Sequence, residues 1–276
     1  MLQEIKTLVE NAWNNNKLLK TDEVKDAIIK TINLLGEGKI RTAEPSCTGE
    51  WLVNEWIKKA VALYTLMLDK EYSDNGHYTD DIYISLPFLQ GISKNAIIKK
   101  GTFFSDSIII GNSVVETGVY IEEKVKIEAF VYIGYCTQIC NNVHICSGVR
   151  VNDSLERPEL LPVIIQNGSY IGPNCVLSEG LLVGKNAILG PNLSLSGVSN
   201  IIDVSGRKII KYKGIIPDNA VVVNGFEKTK YKKNQFIIPA AFIIGRNEDG
   251  KKPEIIIEKS LLSLKKNKAI FHANRI

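Results

Sequence analysis

The sequence predicts a mainly β fold: a parallel β-helix preceded by a helical segment and closed by a small β-rich cap. Three observations carry this reading. Aliphatic residues return at every sixth position, as with Ile133, Ile139 and Ile145, whereas a helix face repeats near 3.6 and a half-buried strand every second residue. The repeat holds at 92, 98, 104 and 110, slips by one residue, resumes at 121, 127, 133, 139 and 145, and runs again from 165 through 171, 177, 183 and 189 to 195. Small residues follow the repeat aliphatic in "IGNS", "IGYC", "IGPN", "VGKN" and "LGPN", where the chain must turn a crowded corner. Each hexad supplies one short strand and three make a triangular coil, with the aliphatic side chains stacked inward from coil to coil. Roughly fifteen hexads give about five coils.

The elements follow in chain order. Residues 1 to about 70 read as helical. "TDEVKDAIIKTINLLGEG" offers Thr21 as an N-cap, Gly36 or Gly38 as a stop, and apolar residues at 24, 28, 29, 32 and 35. "GEWLVNEWIKKAVALYTLML" continues in the same style, with Trp56, Ala60, Leu63 and Met67 on one face. A polar connector, "DKEYSDNGHYTDD", leads into the hexads. Two excursions interrupt them, "VNDSLERPELLPV" and "VSGRKIIKYKG", before a last hexad, "IPDNAV". The tail holds two apolar β-rich runs about a turn, then a short helix in "EKSLLSLKKN". The expected division is 1–90 for the helical domain and connector, 91–225 for the β-helix and 226–276 for the cap.

Composition narrows the function classes. The chain is 45% hydrophobic and 23% charged, enough for a sizeable core, and its net charge is only +4. The Lys-rich "KYKKN" and "LKKNK" read as solvated surface, with a phosphate-bearing ligand as the sharper alternative. No aromatic-basic motif accompanies them, so no nucleic-acid partner is expected. No run of 18 apolar residues occurs, so no membrane span is expected. Glu4 and Lys6 break any apolar core of a secretory signal, and five cysteines without framework spacing fit free thiols in the cytoplasm.

"GKIRTAEPSCTGEWLVNEWIKKAVAL", then "CTQICNNVHICSGV" and "GIIPDNAVVVNG", resemble the tetrahydrodipicolinate N-succinyltransferase family of lysine biosynthesis over nearly the whole chain. The resemblance implies a left-handed β-helix, a homotrimer and no permanently bound cofactor. It also implies a coenzyme A thioester, succinyl-CoA or acetyl-CoA, as co-substrate, and a small amino-acid-like acceptor whose amine is acylated. Such chemistry needs a proton acceptor, oxyanion donors and a groove for pantetheine. The family aspartate that contacts the amine maps to Glu128, and a second family carboxylate to Glu179. His144 is the rival base, since other hexapeptide acyltransferases use histidine; its alternative is a site wall. The coenzyme side keeps the family layout, with Gly190 beside the pantetheine and Arg246 where the family has a lysine, able to meet a phosphate or simply to end a hairpin.

The acceptor side departs from the family. Its arginine in "Phe-Arg-Val-Val-Pro-Pro" aligns with Gly91, and another arginine with Asn174. Glycines of "Gly-Val-Gly-Ile-Gly-Gly" become "GVRVND", which brings in Arg150, Asn152 and Asp153. Arg150 is read as a new carboxylate clamp, with Asn174 and Asp153 as further acceptor contacts. A metal site is not expected, because Cys136, Cys140, Cys146 and His144 are read as falling on different faces of the prism. Two other readings remain open: a related enzyme acylating a different amine, and a trimeric scaffold without catalysis.

Overall fold

The structure, a computed structural model, describes residues 2–75, 91–231, 234–247 and 251–266. Three helices open the chain: α1 (Leu2–Asn14), α2 (Asp22–Gly36) and α3 (Glu55–Asn75). Their apolar stripes face one another. Ile5, Val9 and Ala12 of α1 pack with Val24, Ala27, Ile28, Ile32 and Leu35 of α2 and with Trp56, Ile57, Ala60, Val61 and Leu63 of α3. Ile29, expected in the stripe, is left at the surface. Thr21 does sit at the N-cap of α2, but its hydroxyl donates to the Leu18 carbonyl, 2.8 Å away, and makes no cap hydrogen bond.

Trp51–Val53 is a correction to the sequence reading. It pairs antiparallel with Ala43–Pro45 instead of opening the third helix. Gly49, at φ 87°, permits the turn between them, and α3 starts only after Asn54, whose carbonyl receives the amides of Ile57 and Lys58. The expected connector begins inside α3, and the rest of it lies outside the described residues.

The hexads stack into three sheets of parallel rungs, six from the prism in each, two or three residues long except where the last opens the strand Ala220–Tyr231; that makes six coils where about five were expected. Tyr132 pairs with Arg150, 18 residues on, while Ile97 pairs with Val114, 17 on, which is the one-residue slip. The excursions lengthen two coils, so that Arg150 pairs with Val176 and Leu182 with Ile215. The inward column Ile98, Val115, Ile133, Val151, Leu177 and Leu195 is buried throughout, and so are its two counterparts except for Phe104, which is partly buried at the first coil.

The small residue after each aliphatic answers to the neighbouring coil more than to its own dihedral angles. A Cβ on Gly134 would stand 2.5 Å from the Val151 carbonyl oxygen, and one on Gly184 2.6 Å from that of Ile216. The left-handed residue comes two positions later, at Cys136, Asn174, Asn186 and Asn192, with φ from 54° to 63°. Asparagine tolerates that conformation better than other side chains do, which explains its recurrence there.

The helical segment is mounted on one sheet. The Arg41 guanidinium stacks over Tyr120 at 3.8 Å and donates to Gln138 and Glu122. Lys58 and Asp153, both fully buried, face each other at 3.6 Å, and Lys58 also donates to the Leu160 carbonyl. At the other end, strands Ala220–Tyr231 and Asn234–Arg246 form a hairpin. Helix α4 (Pro253–Lys266) covers it through Ile256 against Ile188, Val221 and Ile244. "PEIII", read as a β run, is thus the first turn of α4, with Pro253 at a position where a missing N–H costs nothing.

Candidate active site

Because successive coils stack in register, the outward residue of one rung stands over that of the next. One outward column reads Ile109, Lys126, His144, Tyr170 and Ile188. Glu128 follows Lys126 by two residues, and Cys146 follows His144 by two, so all four side chains gather at one corner of the prism. Glu128 Oε1 lies 2.8 Å from His144 Nε2 and 3.2 Å from Lys126 Nζ. Its Oε2 accepts the Ser147 amide at 3.1 Å and the Ser147 hydroxyl at 3.0 Å. Burial by itself would raise this carboxyl; the hydrogen bonds from His144, Lys126 and Ser147 outweigh it and bring the pKa down to about 2. Glu128 and His144 keep 30% and 34% of their side chains exposed, so a ligand can reach both.

Tyr170 stands edge-on to His144, ring centroids 5.3 Å apart, and its hydroxyl donates to Glu254 of α4. Burial, with Cys146 and Glu254 nearby, raises that hydroxyl and keeps it a donor. Around the same corner lies an open cleft of about 370 Å³ lined by Asn112, Ser113, Phe130, Val131, Tyr132 and Arg150. The Ser113 hydroxyl donates to the main-chain carbonyl of Glu128 at 2.7 Å, which ties the cleft to the backbone of that residue. Phe130 is 78% exposed at φ 63°, a conformation that costs a bulky residue free energy. Arg150 is exposed there, and its guanidinium has no hydrogen bond or ion pair among the described residues.

The other expected site residues lie elsewhere. Glu179 follows a rung of a different sheet from Glu128; it accepts the Ser154 amide at 3.0 Å and pairs with Arg157. Asp153, expected as an acceptor contact, has its carboxylate fully buried and facing Lys58. Burial, reinforced by Glu179 and only partly offset by Lys58, pushes its pKa up to about 7. Asn174 occupies a left-handed corner, which gives its residue type a structural reason. Gly190 gives its amide to the Val222 carbonyl, and its own carbonyl accepts the Cys175 thiol, so its amide is not free for a ligand. Arg246 pairs with Asp203 and ties the hairpin to strand Asn200–Asp203. Burial alone would raise Asp203, but Arg246 and Ser205 hold it low.

Lys126, Ser147, Tyr170 and Cys146 were not singled out for this site. For Lys126 and Cys146 the signal was present, since each lies one 18-residue coil from His144 or Glu128; Tyr170 lies 26 residues from His144 because the first excursion lengthens that coil, and Ser147 lies 19 from Glu128. The expectation that His144 and Cys146 diverge is also corrected. Donor atoms of Glu128, His144 and Cys146 all lie within 4.8 Å of one another, because His144 and Cys146 flank an inward residue and both turn outward. Cys136 and Cys140 do not join them.

Comparison with known proteins agrees with the resemblance. The family described as Tetrahydrodipicolinate N-succinyltransferase N-terminal matches residues 4–67. The 2,3,4,5-tetrahydropyridine-2,6-dicarboxylate N-succinyltransferase of Wolbachia sp. subsp. Brugia malayi is 28% identical over 274 residues, covering 94% of this chain and 98% of its own. That of Nitrobacter winogradskyi is 31% identical over 216 residues, 74% of this chain and 76% of its own. Identity at that level, sustained through helices, coils and cap, means that the chain belongs to the tetrahydropyridine-dicarboxylate N-succinyltransferase family.

Proposed function

We propose that the protein transfers a succinyl group from succinyl-CoA to the amine of a small dicarboxylic acceptor, the activity its relatives' names describe. The observation that supports this most is the Glu128–His144 contact at an accessible corner beside a cleft. The amine attacks the thioester carbonyl; the C–N bond forms, the C–S bond breaks, and one proton must pass from nitrogen to the departing thiolate. With a pKa near 2, Glu128 is a poor proton acceptor at neutral pH and a good anchor for an ammonium group. Lys126 Nζ marks where such a group binds, and the acceptor's amine takes its place on Oε1. In this reading His144 accepts the proton and Glu128 orients the ring.

Arg150, exposed in the cleft and without an ion pair among the described residues, suits an acceptor carboxylate. Asp153 has no part in this proposal. Arg246 and Gly190 are engaged within the protein, so neighbouring groups on the same coils, not these two, are the better candidates for holding coenzyme A. Glu128 and Glu179 sit at different corners, and a homotrimer of left-handed prisms is the assembly in which two protomers could bring them to one site. The division at 90 and 225 is kept as a proposal, although the hairpin strand Ala220–Tyr231 runs through the second boundary. No described helix is long and apolar enough to cross a membrane. All five cysteines are free thiols, which supports a cytoplasmic setting.

Calorimetric titration with CoA, acetyl-CoA and succinyl-CoA, each with and without 2-aminopimelate, tests the reading. Preferred binding of succinyl-CoA together with the acceptor mimic supports it. A thioester that binds without the mimic points to another amine, and no binding at all points to the scaffold.

A further inference from the structure

Cys146 takes no part in the proposed transfer, yet its thiol sits beside the two groups that do. Glu128, His144 and Cys146 offer one oxygen, one nitrogen and one sulfur donor, all within 4.8 Å of one another. In a tetrahedral zinc site the donors stand about 3.5 Å apart, given metal–ligand distances of about 2.0 to 2.3 Å. Glu128 and His144, now 2.8 Å apart, need only separate slightly to make room for the ion, and the thiol must approach by about 1 Å.

We propose that Glu128, His144 and Cys146 form a binding site for a soft divalent cation of the zinc class, with a fourth position open to water. The donor set selects the ion: thiolate and imidazole favour zinc over magnesium or calcium, which prefer all-oxygen shells. Binding replaces the Glu128–His144 hydrogen bond with two bonds to the metal, and the Cys146 thiol gives its proton to solvent. Lys126 leaves Glu128 as the cation arrives. That costs little, because its side chain is about half exposed and such pairs are weak. Ser147 stays on the other carboxylate oxygen and fixes the carboxylate plane, as the hydrogen-bonded partners of metal-bound carboxylates do.

The remaining cysteines offer no rival site among the described residues. Cys136, Cys140 and Cys175 are buried, with burial raising each thiol, and Cys47 is exposed on the turn before Trp51. An ion bound at Glu128 and His144 occupies the same two groups that the acceptor amine needs, so metal and acceptor exclude each other.

The test reads the metal directly and does not depend on the transfer reaction. Purified full-length protein, freed of metal, is titrated with cobalt(II), and the thiolate-to-cobalt charge-transfer band in the near ultraviolet is recorded; zinc is then added as competitor. One equivalent of cobalt producing the band, displaced by one equivalent of zinc, is expected. Cys146→Ser should abolish the band, and His144→Ala should weaken zinc binding at least tenfold, each variant still unfolding in a single cooperative transition. No stoichiometric binding, or a band that persists in Cys146→Ser, overturns the proposal.

Discussion

His144 Nε2 meets Glu128 Oε1 at 2.8 Å across two adjacent coils, and the contact exists because Lys126 and His144 occupy equivalent outward positions one turn of the prism apart. Glu128 reaches up from the end of its own rung to the ring above. The pairing is therefore a product of coil register, and a one-residue shift of either rung would dissolve it.

If His144 carries the proton, His144→Gln should lower kcat by about 10²- to 10⁴-fold, the usual worth of a positioned general base. The KM for succinyl-CoA should stay within about threefold, because no thioester contact is assigned to the ring. A change in KM alone would remove His144 from the chemical step.

Glu128 remains ionised far below neutrality, since its carboxyl is held near 2. Any loss of activity between pH 5 and 8 therefore belongs to another group. Its depressed folded-state pKa contributes stability above the unfolded value, near 4.5, and that contribution is lost as pH falls from there toward 2. The gap in thermal midpoint between wild type and Glu128→Gln should accordingly narrow over that range; a constant gap would contradict the hydrogen-bond assignment.

Lys58 and Asp153 join the helical segment to the first excursion as a fully buried pair. Lys58→Met should cost about 3–5 kcal/mol by leaving the Asp153 carboxyl without a partner, whereas Lys58→Met with Asp153→Leu should recover most of that loss. The pH effect has the opposite sign to that of Glu128. With its folded-state pKa raised from 3.8 to about 7, Asp153 makes stability fall as pH rises through that window. Urea denaturation of Asp153→Asn across pH 4–7 should show a flatter profile than wild type.

Arg150 lines the cleft, and its guanidinium has no ion pair among the described residues. Arg150→Gly, which restores the residue expected from the family pattern, should raise the acceptor's KM about tenfold or more if the guanidinium clamps a carboxylate, with kcat little changed. An unchanged KM would dismiss the clamp.

The prism was legible because its aliphatic period survives two excursions and a one-residue slip, and no helix or sandwich repeats at six. What the period did not convey was contact between coils. Glu128 and His144 came from the family resemblance, and Cys146 was left among residues thought to diverge, because outward neighbours are set by coil length, not by adjacency in sequence. The setting of Asp153 was missed for a related reason. Its burial depends on Lys58, 95 residues earlier, and no local pattern links the two. Trp51–Val53 failed differently: an apolar stretch before a real helix carries the same composition as the helix, and only Gly49 hints that a turn intervenes.

The central claim is that the Glu128–His144 corner acylates an amine with succinyl-CoA. Release of coenzyme A thiol from succinyl-CoA, followed with and without 2-amino-6-oxopimelate in wild type and Glu128→Gln, tests it most directly. The account predicts acceptor-dependent turnover in the wild type, slower turnover with acetyl-CoA, and a marked loss of turnover in the folded variant, whose neutral amide no longer anchors the ammonium group. Turnover undiminished in Glu128→Gln, or no acceptor-dependent release in the wild type, would contradict it.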